Sequence, residues 1–194
     1  MADKKVIALA CDGETTSFDK IGGDLIKWAF VEIYDDYTLG RQKDWSLRPY
    51  STKYFTEGAQ EIHGITYWQA QSFPRRVDSL ISMLNWLTPL KDQFQIPLVY
   101  HANANFDFKW LEATFMKEEM QGSFSKVFHA DLNESTLKMA RKYLKQYKSH
   151  KLNICADHYN IELKHHDALS DTLACAKIWC NMKQGIDVFT GELF

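Results

Sequence analysis

Apolar, β-branched and aromatic residues fall into three runs over the first fifty positions: VIALAC, LIKWAFVEIY and the region around RQKDWSLRPY. Such enrichment in short runs is a strand signal, and YDDYTLG between the second and third reads as a turn. The chain is expected to open as a three-stranded antiparallel unit. Beyond GAQEIHGIT the period changes. Val77, Leu80, Ile81, Leu84 and Leu87 recur at three- and four-residue spacing, which predicts a helix stopping at Pro89. PLVYHA predicts a short buried strand, FKWLEATFMKEEM a helix directly after Asp107, and KVFHADL another short strand. Three helices complete the pattern, from about Ser135 to Tyr147, from Leu152 to Tyr159 and from about Ala168 to Lys183. Strands first and helices interleaved later imply an α/β mixed sheet covered by helices. The expected layout is one domain over residues 1–183 and a tail, GIDVFTGELF, at 184–194.

Composition narrows the class. With 194 residues, 45% of them hydrophobic and 14% aromatic, the chain has ordinary globular composition and enough length for one substantial core. The formal charge of -2 excludes nucleic-acid binding through a globally basic surface and demands a local patch, or metal ions to meet the phosphates. Cys11, Cys155, Cys175 and Cys180 form no C-x-x-C pair and sit in core-like surroundings, so reduced thiols and a cytoplasmic setting are expected. The opening MADKK is followed by too short an apolar run for a signal peptide, and no segment reaches membrane-spanning length. No membrane partner is expected.

The chemistry begins where the first strand ends. Successive strand residues face opposite ways, so Asp12 and Glu14 in ACDGETTSF share one face, and two adjacent carboxylates repel unless a proton or a cation intervenes. Alone, so short a pattern favours a plainer account, a turn leaving a strand. Asp107 in HANANFDFKWL and Asp171 in KHHDALSDTLACAKIW stand where helices begin, and each alone is as well explained by helix capping. Together the four would make an all-oxygen cluster suited to Mg²⁺ or Mn²⁺ rather than zinc. His166 precedes Asp171 by five residues, roughly 140° around a helix, so the two address one centre only if His166 lies on a loop before it. The polar run KHHD is equally consistent with a surface histidine.

These pieces, D-x-E at Asp12 and Glu14, N-A-x-F-D from Asn103 to Asp107 and H-x-x-x-x-D from His166 to Asp171, resemble in order and spacing the three motifs of the DEDDh 3′–5′ exonucleases. EIHGIT is similar to that family's H-G-I segment, and HADLNESTLKMARKYL followed by KLNICADHYNIELKHHDALSD is similar to its later elements. The resemblance covers roughly residues 4–183 and is nearest to the DNA-proofreading members. Ala102 stands where the family often has histidine, with His101 shifted by one.

The resemblance implies a ribonuclease H-like mixed five-stranded sheet flanked by helices. It also implies an exonuclease domain releasing nucleoside 5′-monophosphates from DNA 3′ ends. Asp12, Glu14, Asp107 and Asp171 would hold two Mg²⁺ or Mn²⁺ ions and His166 would be the general base, with Thr15, Thr16, Ala59, Ile62, His63, Asn103 and Phe106 around the terminal nucleotide. Implied partners are single-stranded DNA or DNA 3′ ends and a DNA polymerase or sliding clamp, the latter through the terminal Leu193-Phe194. Two alternatives stay open: an RNA exonuclease of the oligoribonuclease or ribonuclease T type, and a non-catalytic nucleic-acid or polymerase-binding module. The run Lys138 to Lys151, six Lys or Arg with no acid and with Tyr143 and Tyr147 between them, is either a phosphate track or a solvated helix face.

Overall fold

The computed structural model describes residues 4–19, 22–90, 96–103 and 105–186, so most of the tail lies outside the described residues. The long apolar runs become β1 (Val6–Thr15), β2 (Leu25–Tyr34) and β3 (Leu39–Ser46), an antiparallel meander. Two short parallel strands, β4 (Leu98–Tyr100) and β5 (Glu134–Ser135), extend it on the β1 side into one mixed sheet of order β3-β2-β1-β4-β5. Helices α1 (Glu57–His63), α2 (Tyr67–Gln71) and α3 (Arg76–Leu87) follow β3. Next come α4 (Phe106–Lys117) and α5 (Gln121–Phe124) after β4, then α6 (Thr136–Tyr143), α7 (Leu152–His158) and α8 (Ala168–Lys183) after β5.

Alternation along β1 sorts its side chains between two cores. Leu9 and Cys11 pack with Trp28, Phe30 and the α3 and α4 residues Leu80, Met83, Leu111 and Phe115. Ala8 and Ala10 face the other way, against Val31, Ile33, Val99 and the α8 residues Ala174, Cys175 and Ile178. Small alanines let α8 lie close over the centre of the sheet. The same even-numbered face carries Asp12 and Glu14. All four cysteines are free and buried, and no helix among the described residues is long and apolar enough to cross a membrane.

Two expected elements differ. KVFHADL forms no strand: Phe128 turns into the core beside Phe30, Ala130–Leu132 is a 3-10 turn, and pairing with β4 starts only at Glu134 opposite Val99. The helix expected to reach Tyr147 stops at Tyr143, because Leu144 leaves helical geometry and its carbonyl is taken by the Tyr147 amide and the His150 ring. The helix after β4 begins at Phe106, two residues earlier than expected, with Asp107 inside its first turn. Pro89 lies in a 3-10 turn, Thr88–Leu90, that closes α3. Three short helices, α1, α2 and α5, were not anticipated.

A buried ion pair ties these layers together. Asp24, at the mouth of β2, accepts from Arg76 of α3 at 2.9 Å, from the Tyr50 amide at 2.8 Å and from Lys117 of α4 at 3.1 Å. Arg76 and Asp24 are both almost fully excluded from water. Losing Arg76 leaves Asp24 with the partly exposed Lys117 as its remaining cation, so Arg76→Ala should lower unfolding stability by about 1.5–3 kcal/mol in urea titrations. A loss below about 1 kcal/mol, the level of a surface pair, would show that the pair does not carry this junction.

Candidate active site

Asp12 and Glu14 sit opposite Ala29 and Lys27 of β2, at the end of β1 where the sheet opens. Between them Gly13 faces the aromatic core, and a Cβ there would come within 2.7 Å of the Trp28 ring and 2.9 Å of Leu25, so the tight packing admits only glycine. Asp171 belongs to the first turn of α8, whose start is fixed by Asp167 accepting from the Ser170 amide at 3.0 Å. Because α8 crosses the even-numbered face of β1, its first turn ends up over Asp12 and Glu14. Asp107 arrives from the opposite layer: Asn105, with φ 56°, turns the chain left-handed out of β4 and into α4.

Carboxylate oxygens of Asp12, Glu14 and Asp171 lie within 4.8 Å of one another. Asp107 joins them in the lining of a cleft of about 720 Å³. Burial raises Asp12 well above the usual carboxylate range, with Asp107, Glu14 and Asp171 adding repulsion. Glu14 is pushed to about 7 by burial and then by Asp171, Asp107 and Asp167. Burial alone takes Asp107 to about 7, and it raises Asp171 as well. Asp171 has nearby relief from the His166 amide at 3.0 Å and His165 Nδ1 at 3.4 Å, and Asp107 from a backbone amide. Hard oxygen donors, crowded and short of positive charge, fit a divalent cation of the Mg²⁺ or Mn²⁺ kind.

The loop before α8 carries both histidines to this cleft. His166 takes a left-handed φ of 67°, which aims its amide at Asp171. Its exposed ring stacks on that of His165 at 3.8 Å. Burial and the neighbouring His165 lower the His166 pKa below the ordinary imidazole value, leaving it neutral and able to accept a proton at pH 7. His165 was passed over in the sequence in favour of its neighbour, yet it makes the closer side-chain approach to Asp171.

The expected nucleotide residues divide. Phe106 lines the cleft and Asn103, exposed beside it, accepts from Arg141 at 2.9 Å. Ile62 and His63 line a second hollow of about 390 Å³ that shares Glu14, His165 and His166 with the first. His63 Nδ1 accepts from the Ile65 amide at 3.0 Å, which fixes the ring. Thr15, Thr16 and Ala59 are engaged by the fold itself: Thr15 donates to the Ser17 carbonyl, Thr16 is buried and accepts from the Asp24 amide, and Ala59 is buried within α1. His101 was overlooked as a site residue. It lines the cleft, and its signals in the sequence were a histidine closing an apolar strand and its place one residue from where the resembled family often has histidine.

Comparison with known proteins bears on the family and the fold of the chain. Residues 9–179 match the RNase T family model, described as exonuclease. Over 175 residues the chain is 28% identical to the PolC-type DNA polymerase III of Bacillus subtilis (strain 168), covering 88% of this chain and 11% of that protein. Exonuclease I of E. coli in complex with a dT13 oligonucleotide superposes with a TM-score of 0.69 at 17% identity, covering 92% of this chain and 41% of that one. A zinc-bound form of the E. coli enzyme with single-stranded DNA gives 0.70 at 17% identity, over 91% and 40%. The chain spans less than half the length of each of these proteins, and the structural likenesses establish the fold, a mixed five-stranded sheet of ribonuclease H-like type.

Raised carboxylate pKa values have a measurable cost. Glu14 binds its proton more tightly in the folded than in the unfolded chain, so its contribution is fully present below about pH 4.3 and is lost as pH rises through about 7. His101, lowered to about 4 by burial, carries the opposite slope over the same window, so the readout must be a difference between two proteins. In EDTA, the melting temperature of Glu14→Gln minus that of the wild type should be near zero at pH 4.5 and grow to several degrees by pH 8. A difference independent of pH would contradict the electrostatic reading.

Proposed function

The chain belongs to the DEDD-type 3′–5′ exonuclease family, and we propose on that premise that it is a divalent-metal-dependent nuclease removing nucleoside 5′-monophosphates from DNA 3′ ends. The observation that carries this reading is the convergence of four mutually repelling carboxylates, the half-buried Asp12 and the buried Glu14, Asp107 and Asp171, beside two cleft histidines. In this reading the four acids hold two Mg²⁺ or Mn²⁺ ions, which when bound offset the phosphate charge and favour ionisation of water. The new bond forms from water oxygen to phosphorus while the bond to the 3′-oxygen of the preceding nucleotide breaks. The attacking water must lose a proton and the departing oxygen must regain one. His166, neutral at pH 7 and at the cleft mouth, accepts the first. The hydrogen bond from its backbone amide to Asp171 couples its position to the acids.

Phe106, Ile62, His63 and Asn103 surround the terminal nucleotide in this proposal. An aromatic plane, an aliphatic edge and two polar groups without a base-reading set give weak sequence preference. DNA is favoured over RNA by the likeness to a DNA polymerase and to Exonuclease I bound to dT13. A DNA polymerase is the partner that the PolC-type likeness supports.

The test is a degradation ladder from 5′-labelled single-stranded DNA, duplex DNA with a mismatched 3′ end, and RNA of equal length, each with Mg²⁺ or Mn²⁺. Single-nucleotide steps on DNA, abolished by EDTA and by Asp107→Asn, are expected; preferential shortening of RNA would instead select the RNA exonuclease reading, and no shortening the non-catalytic one. His166→Ala should lower kcat by about 10²–10⁴ and remove an acidic limb of the pH profile lying below the ordinary imidazole value. If His165→Ala carries the larger loss, the base is His165.

A further inference from the structure

We infer that the cleft has a second, basic wall built to take the phosphates of the strand upstream of the scissile one, and that only half of the basic run 138–151 belongs to it. This inference rests on the nuclease reading for the identity of the strand, but its geometry is independent of the chemistry. Arg141, Lys148 and Lys151 line the same cleft as the four carboxylates. Lys138 and Lys142, from the same run, line a separate surface hollow with Glu134 and Lys183. The division follows from where α6 stops. A continuous helix to Tyr147 would have spread these charges around its circumference; ending at Tyr143 lets the chain double back and bring Lys148 and Lys151 to the side of Arg141.

The returning loop is held in place. His101, at the end of β4, bonds Thr136 of α6 through Nδ1 at 2.8 Å and the His150 carbonyl through Nε2 at 2.8 Å. His150 in turn reaches back to the Leu144 carbonyl at 3.0 Å. Arg141 is oriented by Asn103, four residues before Asp107. Lys148 and Lys151 have no carboxylate partner within 4.0 Å among the described residues, although four carboxylates lie in the same cleft. Cations left uncompensated on one wall, facing acids on the floor, suit a polyanion whose end enters the acidic pole while its backbone runs along the basic one. A single-stranded nucleic acid has that shape and charge.

The experiment compares two proteins that lose the same charge. Arg141→Gln/Lys148→Gln/Lys151→Gln empties the wall; Lys138→Gln/Lys142→Gln/Lys145→Gln neutralises three residues of the run that do not line the cleft. Binding of a fluorescein-labelled oligo(dT) is followed by anisotropy from 20 to 200 mM salt in EDTA, which stops metal-dependent hydrolysis. The first variant should reduce the slope of log K against log salt by about 2, at roughly 0.7 per lost contact to a single strand. The second should leave it within about 0.5. Equal effects of both variants, no effect of the first, or no binding by the wild type would overturn the inference. Hydrolysis by the wild type with Mn²⁺, measured alongside, separates the two readings: a slope change without hydrolysis sinks the nuclease and spares the wall, and hydrolysis with an unchanged slope does the reverse.

Discussion

Four carboxylates withdrawn from water with almost no positive charge to meet them is the constraint around which this molecule is arranged. Buried acids are normally paired or absent. Here Asp12, on the central strand, is repelled by three neighbours, and the histidine pair reaches Asp171 alone. Such a cluster survives only because the rest of the fold over-determines it. The aromatic core under β1 fixes Gly13, alanines on the other face seat α8, and the Asp24–Arg76 pair locks the strand mouth to α3 and α4. β1 delivers two of the acids, α4 and α8 one each, and none could retreat without unpacking its own layer.

The polarity of the cleft follows from the same economy. A chain of net charge -2 cannot attract a polyanion broadly, so attraction has to be local and repulsion has to be useful. The acids repel a phosphate until cations enter, which makes seating of the scissile phosphate, though not binding of the upstream strand, conditional on metal. Arg141, Lys148 and Lys151 supply attraction at a distance from the acids, where it holds the strand without neutralising the cluster.

Much of this was legible in the chain. Alternation in VIALACDGE places Asp12 and Glu14 on one face, and the resemblance of three spaced motifs joins them to Asp107, His166 and Asp171. The mixed sheet followed from strands that precede interleaved helices. What was hidden depended on tertiary partners: β5 forms at Glu134 and not in KVFHADL because Phe128 is drawn into the core, and α6 stops at Tyr143 because His150 and Tyr147 claim the Leu144 carbonyl. Some signals were present and unread. Thr66-Tyr67-Trp68-Gln69 is a capping box in which Thr66 caps the Gln69 amide and Gln69 returns to the Thr66 amide, enough to announce α2. Thr56 before Glu57 and Gly64 at φ 69° mark both ends of α1. The hydrogen bond that the Thr16 hydroxyl accepts from the Asp24 amide, a part of the frame, has no signal in the sequence.

The central claim, that burial and mutual repulsion hold these acids ready for divalent cations, is tested most directly by ¹³C-detected NMR titration of the side-chain carboxyls, without metal and with saturating Mg²⁺. Without metal, Glu14 and Asp107 should titrate at about 7, and Mg²⁺ should move both toward or below the ordinary carboxylate range near 4. Ordinary values in the metal-free protein, or raised values that Mg²⁺ leaves unchanged, would contradict it.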